Sequence, residues 1–275
     1  MAELSSNWKK LSSKLEKKSS KPRTPVKSGA STGKIKATKS STLTPAAEAA
    51  VSSVTTPAKS GLTPIEYALW SKENDITTAD IESAQRPNIT LTPQGNDIRK
   101  KEPGKYLSMD CEFVGVGPEG TESALARVSI VNFYGHTVLD EFVKPREKVT
   151  DWRTWVSGVT PKHMNEAITF EEAQKKTADL LQDRILVGHA IHHDLDSLFL
   201  SHPKAMIRDT SKFQTFKAIS NGRTPSLKKL TSHFLKLDIQ GAAHSSVEDA
   251  RATMLLFRLY RKDFEKSLRL GRNRK

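Results

Sequence analysis

Three short stretches of this 275-residue chain place acids and histidines at spacings that suit metal-assisted chemistry. Asp110 and Glu112 flank Cys111 inside the apolar run Tyr106–Val114. Side chains alternate across a strand, so both carboxylates leave one face, with Cys111 on the other as a small core residue. Two acids on one face repel each other and are costly to bury unless something positive lies between them. A divalent ion that takes hard oxygen ligands, Mg²⁺ or Mn²⁺, resolves that conflict. In the second stretch, Leu186–Asp194, a strand ends at Gly188 and a helix begins within a few residues. Asp194 then falls in the first helical turn, near the positive end of the helix, and Asp196 competes with it on spacing alone. In the third stretch, Ser245 and Glu248 stand at capping-box spacing, which predicts a helix start with His244 just outside it and Asp249 on its first turn. A histidine that titrates near neutral pH, beside a fixed carboxylate, suits a general base next to a metal ligand. His189, His192 and His193 do not suggest zinc, because no cysteine pair or second histidine cluster completes a tetrahedral site.

The elements that must hold these residues are legible as α/β. Tyr106–Val114, Ala124–Phe133 and Val138–Val143 read as three strands joined by short connections, hence antiparallel hairpins. Phe170–Gln182 has helical spacing and leads into the strand Ile185–Gly188. A helix from His192, a short strand Ala205–Arg208, a helix over Ser226–Leu235 and a last helix from Val247 to about Phe264 follow. A meander followed by alternating helices and strands predicts a mixed sheet covered on both faces. Upstream, Thr63-Pro64-Ile65-Glu66 combines an N-cap, a proline at the first helical position and a capping-box glutamate. Residues 61–103 therefore read as a linker with short helices.

Charge is unevenly spread along the chain. The net charge is +13, and residues 1–60 hold twelve Lys/Arg against Glu3, Glu16 and Glu48. This arm is rich in Ser, Thr, Lys, Pro and Ala with few large apolar side chains, so it reads as disordered, and a polyanion is its natural partner. Within it, Leu4, Trp8, Leu11 and Leu15 could line one face of a helix formed on binding. One cysteine rules out an intrachain disulfide. The N-terminus lacks the apolar core of a secretory signal, and no apolar run is long enough to span a bilayer, so no membrane partner is expected. Lysine clusters near the N-terminus are similar to nuclear-import signals.

Taken together, MDCEFVGVG, LVGHAIHHDLDSL and HSSVEDARATM resemble the three exonuclease motifs of the DEDDh superfamily, over roughly residues 104–262. VTDWRTWVSGVTPKHM, the opening SSNWKKL and TPIEYALWSKENDI are similar to the RNA exonuclease 4 branch and its interferon-stimulated vertebrate relatives. The resemblance implies a ribonuclease H-like fold with a mixed five-stranded sheet and helices on both faces, in a domain over residues 104–266 followed by a basic tail, 267–275. It implies 3′→5′ release of nucleoside 5′-monophosphates from RNA with two Mg²⁺ ions, Mn²⁺ substituting. Asp110, Glu112 and Asp249 would bind one ion; Asp110 would share the second, which Asp194 reaches largely through water, and His244 would take a proton from the attacking water. Phe113 and Arg153 would contact the terminal sugar, although relatives often carry Met at position 113 and Tyr at 152. The aromatic pair Trp152 and Trp155 could stack on bases, and His189 is a structural or substrate-side residue. The implied setting is precursor ribosomal RNA in the nucleus or nucleolus, with pre-ribosomal proteins as partners of the arm. A single-stranded DNA exonuclease and a catalytically silent RNA-binding assembly factor are the competing readings.

Overall fold

A computed structural model describes residues 63–85, 98–239 and 244–272. The readings made for the arm, residues 1–60, and for the last residues of the tail lie outside this range. Among the described residues the order is α1 (Pro64–Ser71), α2 (Thr78–Ala84), β1 (Tyr106–Val116), β2 (Glu122–Asn132), β3 (Thr137–Phe142), β4 (Val149–Asp151) and α3 (Thr154–Ser157). Then come α4 (Phe170–Leu181), β5 (Ile185–Gly188), α5 (His192–Ser197), β6 (Ile207–Asp209), α6 (Gln214–Ala218), α7 (Leu227–Leu230), α8 (Ser246–Leu259) and α9 (Arg261–Arg272).

The strands form a mixed sheet in the order β3-β2-β1-β5-β6, antiparallel through β3, β2 and β1 and parallel through β1, β5 and β6. It has six strands rather than five. The extra strand, β4, pairs with the far end of β1 at Gly115 and Val116, and three residues are too few to leave a periodic signal. On one face Leu107, Met109 and Cys111 pack with α4 and α5. On the other, Val131 and Val187 pack with α8, and Ile65, Leu69 and Ile81 of α1 and α2 are buried in the same cluster. A bulge between Glu112 and Phe113 of β1 leaves Ala126 as an extra residue on β2. It reverses the phase of β2, so that Leu125 and Val128 both face the α4–α5 side.

Two helix ends depart from the expectations. The Thr63–Glu66 capping box forms as read, but Ser245 makes no side-chain cap. Glu248 instead pairs with Arg251 at 3.0 Å, which removes the acceptor a capping box needs. The last helix is also two: α8 ends at Tyr260, whose ψ is 17°, and α9 resumes through Arg272. The break lets Phe264 stack on Phe213 with ring centroids 3.9 Å apart. The helix expected over Ser226–Leu235 divides similarly into α7 and a π turn, Thr231–Leu235.

Candidate active site

The cleft opens where the sheet is interrupted. β1 pairs with β5 only as far as Ser108, and with β4 only from Gly115 onward. Between these points the β1 edge from Asp110 to Val114 has no neighbouring strand on that side among the described residues, and side chains fill the gap. A cleft of about 480 Å³ lies there, lined on β1 by Asp110, Cys111, Glu112 and Phe113. One rim carries Arg153, Val156 and Ser157; the other carries His189, Ser226 and Leu227; Asp249 on α8 and His244 just before that helix close it.

Asp110 and Glu112 project toward α8, whose first turn brings Asp249 against them. Carboxylate oxygens of these three residues lie within 4.8 Å of one another. Such crowding in a buried place holds protons on. Burial, then the charges of Asp194, Asp249 and Glu112, push Asp110 well above the usual carboxylate range. Burial and the Asp249 charge push Glu112 up to about 8. Arg127, opposite Glu112 on β2, pulls the other way without offsetting them. One oxygen of Glu112, Oε1, is buried with no hydrogen-bond partner among the described residues. Three converging carboxylates with an orphaned buried oxygen fit a divalent cation that takes hard oxygen ligands. His244 stands at the edge of this group, its Nδ1 3.8 Å from Asp249 Oδ2, and its backbone N–H donates to Val156 at 2.7 Å.

Asp194 arrives from the opposite face of the sheet and is not part of the three-residue cluster, although its charge acts on Asp110 and Glu112. Burial raises it to about 7, against the opposing pull of hydrogen bonds from the Cys111 thiol and backbone. Cys111 is thus more than filler: alternation turns it toward α5, beside Asp194, whose carboxyl pKa it pulls down. The turn that presents Asp194 is tightly specified. A Cβ on Gly188 would sit 2.5 Å from Ile191, so only glycine fits there. Ala190 has φ of 57° and is held by Asp209, whose Oδ1 accepts from the Ala190 and Ser211 N–H groups, each at 3.0 Å. Sequence reasoning missed Asp209; an acid just before Thr210-Ser211 at a strand end was the signal for such a turn. It also missed the tie between Ser129 and Ser246, 2.6 Å apart, which links β2 to the start of α8. Ser129 donates in turn to Asp140, itself gripped bidentately by Arg127.

The expected substrate-side residues fall differently. Phe113 lines the cleft and is half-buried. Arg153 also lines it, with φ of 47°, and its guanidinium donates to Ser123 at 2.8 Å and to the Gly120 carbonyl at 2.7 Å. It thus clamps the β1–β2 connection while facing the cleft. Trp155 is 80% exposed on α3, and its neighbours Val156 and Ser157 line the rim. Trp152, by contrast, packs against a small apolar cluster with Phe142, Val149 and Met164. Both ring nitrogens of His189 are engaged, Nδ1 with Thr210 at 2.9 Å and Nε2 with the Pro225 carbonyl at 3.0 Å.

The sequence profile of the Exonuclease family matches residues 107–257, which contain every one of these site residues. The chain is 71% identical to RNA exonuclease 4 of Debaryomyces hansenii over 272 residues, 99% of this chain and 97% of that one. It is 50% identical to RNA exonuclease 4 of Candida albicans over the whole of both chains. Against the Saccharomyces cerevisiae protein of the same name it is 61% identical, over 71% of this chain and 68% of that one. Among solved structures, the Saccharomyces cerevisiae Pan2 pseudoubiquitin hydrolase-RNA exonuclease module in complex with AAGGA RNA is similar, at 26% identity and a TM-score of 0.52. That match covers 68% of this chain but only 34% of the Pan2 chain, so the likeness is to its exonuclease fold. A sheet gap filled by carboxylates, a profile spanning it and near full-length relatives lead to one conclusion: this chain belongs to the exonuclease family, and within it to the RNA exonuclease 4 family.

Proposed function

We propose that the protein is a 3′→5′ exoribonuclease that releases nucleoside 5′-monophosphates with two Mg²⁺ ions, for which Mn²⁺ can substitute. The observation that carries this is the convergence of Asp110, Glu112 and Asp249 within 4.8 Å, with His244 beside them. Those three carboxylates would hold one ion, and Asp110 with Asp194 the second. When bound, such ions supply positive charge against the phosphate and promote ionisation of water. His244 turns Nδ1 toward Asp249, which orients the ring and leaves Nε2 to take the proton of the attacking water. Phe113 packs on the terminal sugar, and Arg153 donates to its 2′-hydroxyl, the group that separates RNA from DNA. Trp155 stacks on a base at the rim. His189, held by Thr210 and Pro225, keeps the wall beside that sugar in place.

The substrate we assign is precursor ribosomal RNA in the nucleus, most of all the nucleolus. The names of the relatives and the charge of residues 1–60 support an RNA partner, and that arm would also engage pre-ribosomal proteins. A 5′-labelled single-stranded RNA, incubated with the protein and either Mg²⁺ or EDTA, tests the reaction. A ladder shortening from the 3′ end with metal alone, and lost in Asp110→Asn, is the expected result. An Asp110→Asn protein that trims RNA at the full rate would remove the proposed mechanism. Faster cleavage of a matched DNA oligomer would reassign the substrate.

A further inference from the structure

The α7 wall of the cleft carries a feature that the reaction does not use. Ser226 and Leu227 line the cleft, and Ser226 also opens a second groove of about 600 Å³, lined further on by Lys229, His233 and Lys236. The local sequence explains its character. Leu227, Leu230 and Leu235 are buried, so the polar residues between them turn outward. Lys228, Lys229, His233 and Lys236 are all exposed, as is Arg223 on the turn before α7, against a single acid, Asp238, in the groove.

A run of exposed lysines is ordinarily just a solvated face. Its place beside the cleft, with Ser226 lining both hollows, sets this one apart. Elsewhere in the fold some exposed cations are paired, as Lys175 is with Asp179, Lys176 with Glu141 and Arg146 with Glu171, while others, such as Lys148, Lys162, Lys204 and Lys266, form no ion pair among the described residues. Arg223, Lys229 and Lys236 enter no ion pair among the described residues. The run is also anchored to the catalytic frame. Pro225, immediately before it, is bound by His189, which follows β5 directly on the segment that leads to Asp194.

We propose that α7 and the π turn form a track for the RNA strand on the 5′ side of the nucleotide being removed, with Arg223, Lys229 and Lys236 on its phosphates. The proposal rests on the exonuclease reading above. A 3′ terminus seated at the carboxylates requires the rest of the strand to leave across a rim. The acids of the site repel that strand, and the α7 rim meets it with unpaired positive charge. Contacts to phosphates carry no base preference, so the track serves any sequence.

The test compares the full chain with its Arg223→Ala/Lys229→Ala/Lys236→Ala variant on two substrates, a 20-nucleotide RNA and a dinucleotide too short to reach the groove. We expect kcat/KM on the long RNA to fall roughly tenfold or more at low salt, with the dinucleotide rate unchanged. The same three substitutions in an Asp110→Asn background, which cannot cleave, should weaken binding of the 20-mer. They should also flatten its log–log salt dependence by about 2, near 0.7 per lost phosphate contact. Equal losses on both substrates would assign these residues to the reaction or the fold, and no loss on either would leave the face merely solvated; both overturn the track. The binding arm does not depend on turnover, so an unmodified protein that fails to cleave RNA counts against the exonuclease reading and not against the track.

Discussion

A glutamic acid held near 8, as Glu112 is, makes the metal-free fold pay for its own site. The folded value lies above the ordinary one, so between about pH 4.5 and 8 the native state binds more protons than the unfolded chain, and stability falls as pH rises. Glu112→Gln removes that charge while keeping the shape. In EDTA at pH 8.5 the variant should melt several degrees above the wild type, roughly 3–8 °C for a domain of this size. At pH 5 the two should nearly coincide. Saturating Mg²⁺ should reverse the order at high pH, because only the wild type offers the full ligand set. Scanning calorimetry with and without the ion reads all of this, and coincident melting in EDTA at pH 8.5 would refute the account of the site. Trp155 makes the opposite case. At 80% exposure it gives the fold almost nothing, so Trp155→Ala should shift stability by less than about 0.5 kcal/mol. It should still weaken RNA binding in an Asp110→Asn background by about 1–3 kcal/mol, the value of one base stacked on an aromatic ring. Unchanged binding would leave Trp155 without a role at the rim.

Among the elements, α8 serves two purposes. Its start carries Asp249 and, through Ser246, is tied to the strand pair beneath Glu112. Its far end carries Arg258, fully buried and donating to the carbonyls of Leu69, Lys72, Asn74 and Phe133. Those carbonyls belong largely to α1 and the chain after it, so this one guanidinium fastens the segment before the sheet onto the catalytic helix. Arg258→Met should cost roughly 3–5 kcal/mol, the range seen when one partner of a buried charged network is removed. Urea denaturation would measure the loss, and limited proteolysis should cut first within residues 63–85. A loss below 1 kcal/mol would mean the carbonyls find water instead. The sequence made some of this visible and hid the rest for physical reasons. The strands β1, β2 and β5 announce themselves because buried strands are runs of apolar residues, and α1 announces itself through a complete capping box. The kink at Tyr260 does not, because both sides of it keep helical spacing and only the docking of Phe264 on Phe213 separates them. Asp110, Glu112 and Asp249 were legible because a strand period and a helix start each fix a direction. The approach of Cys111 to Asp194 was not, since it depends on how far β5 runs beside β1.

For the molecule as a whole, charge is divided unevenly between two regions. Residues 1–60 hold a net +9 of the total +13, whereas the rest of the chain is nearly balanced and brings three of its acids, Asp110, Glu112 and Asp249, together at the cleft. A site built from repelling carboxylates is a poor collector of a polyanion until its ions are bound. A basic arm on the same chain that bound RNA, as proposed, would raise its local concentration without touching the reaction, as multivalent attachment does. Deleting residues 1–60 should therefore leave dinucleotide cleavage unchanged, because the residues assigned to the reaction lie between Asp110 and Asp249. Binding of a long RNA at about 50 mM salt should weaken at least tenfold, and the deleted and intact proteins should converge near 300 mM as screening removes the arm's advantage. Fluorescence anisotropy across that salt range distinguishes the cases. Identical affinities at low salt would free the arm from RNA and leave protein partners as its role. A deletion that slows dinucleotide cleavage would instead show that the arm reaches the reaction itself.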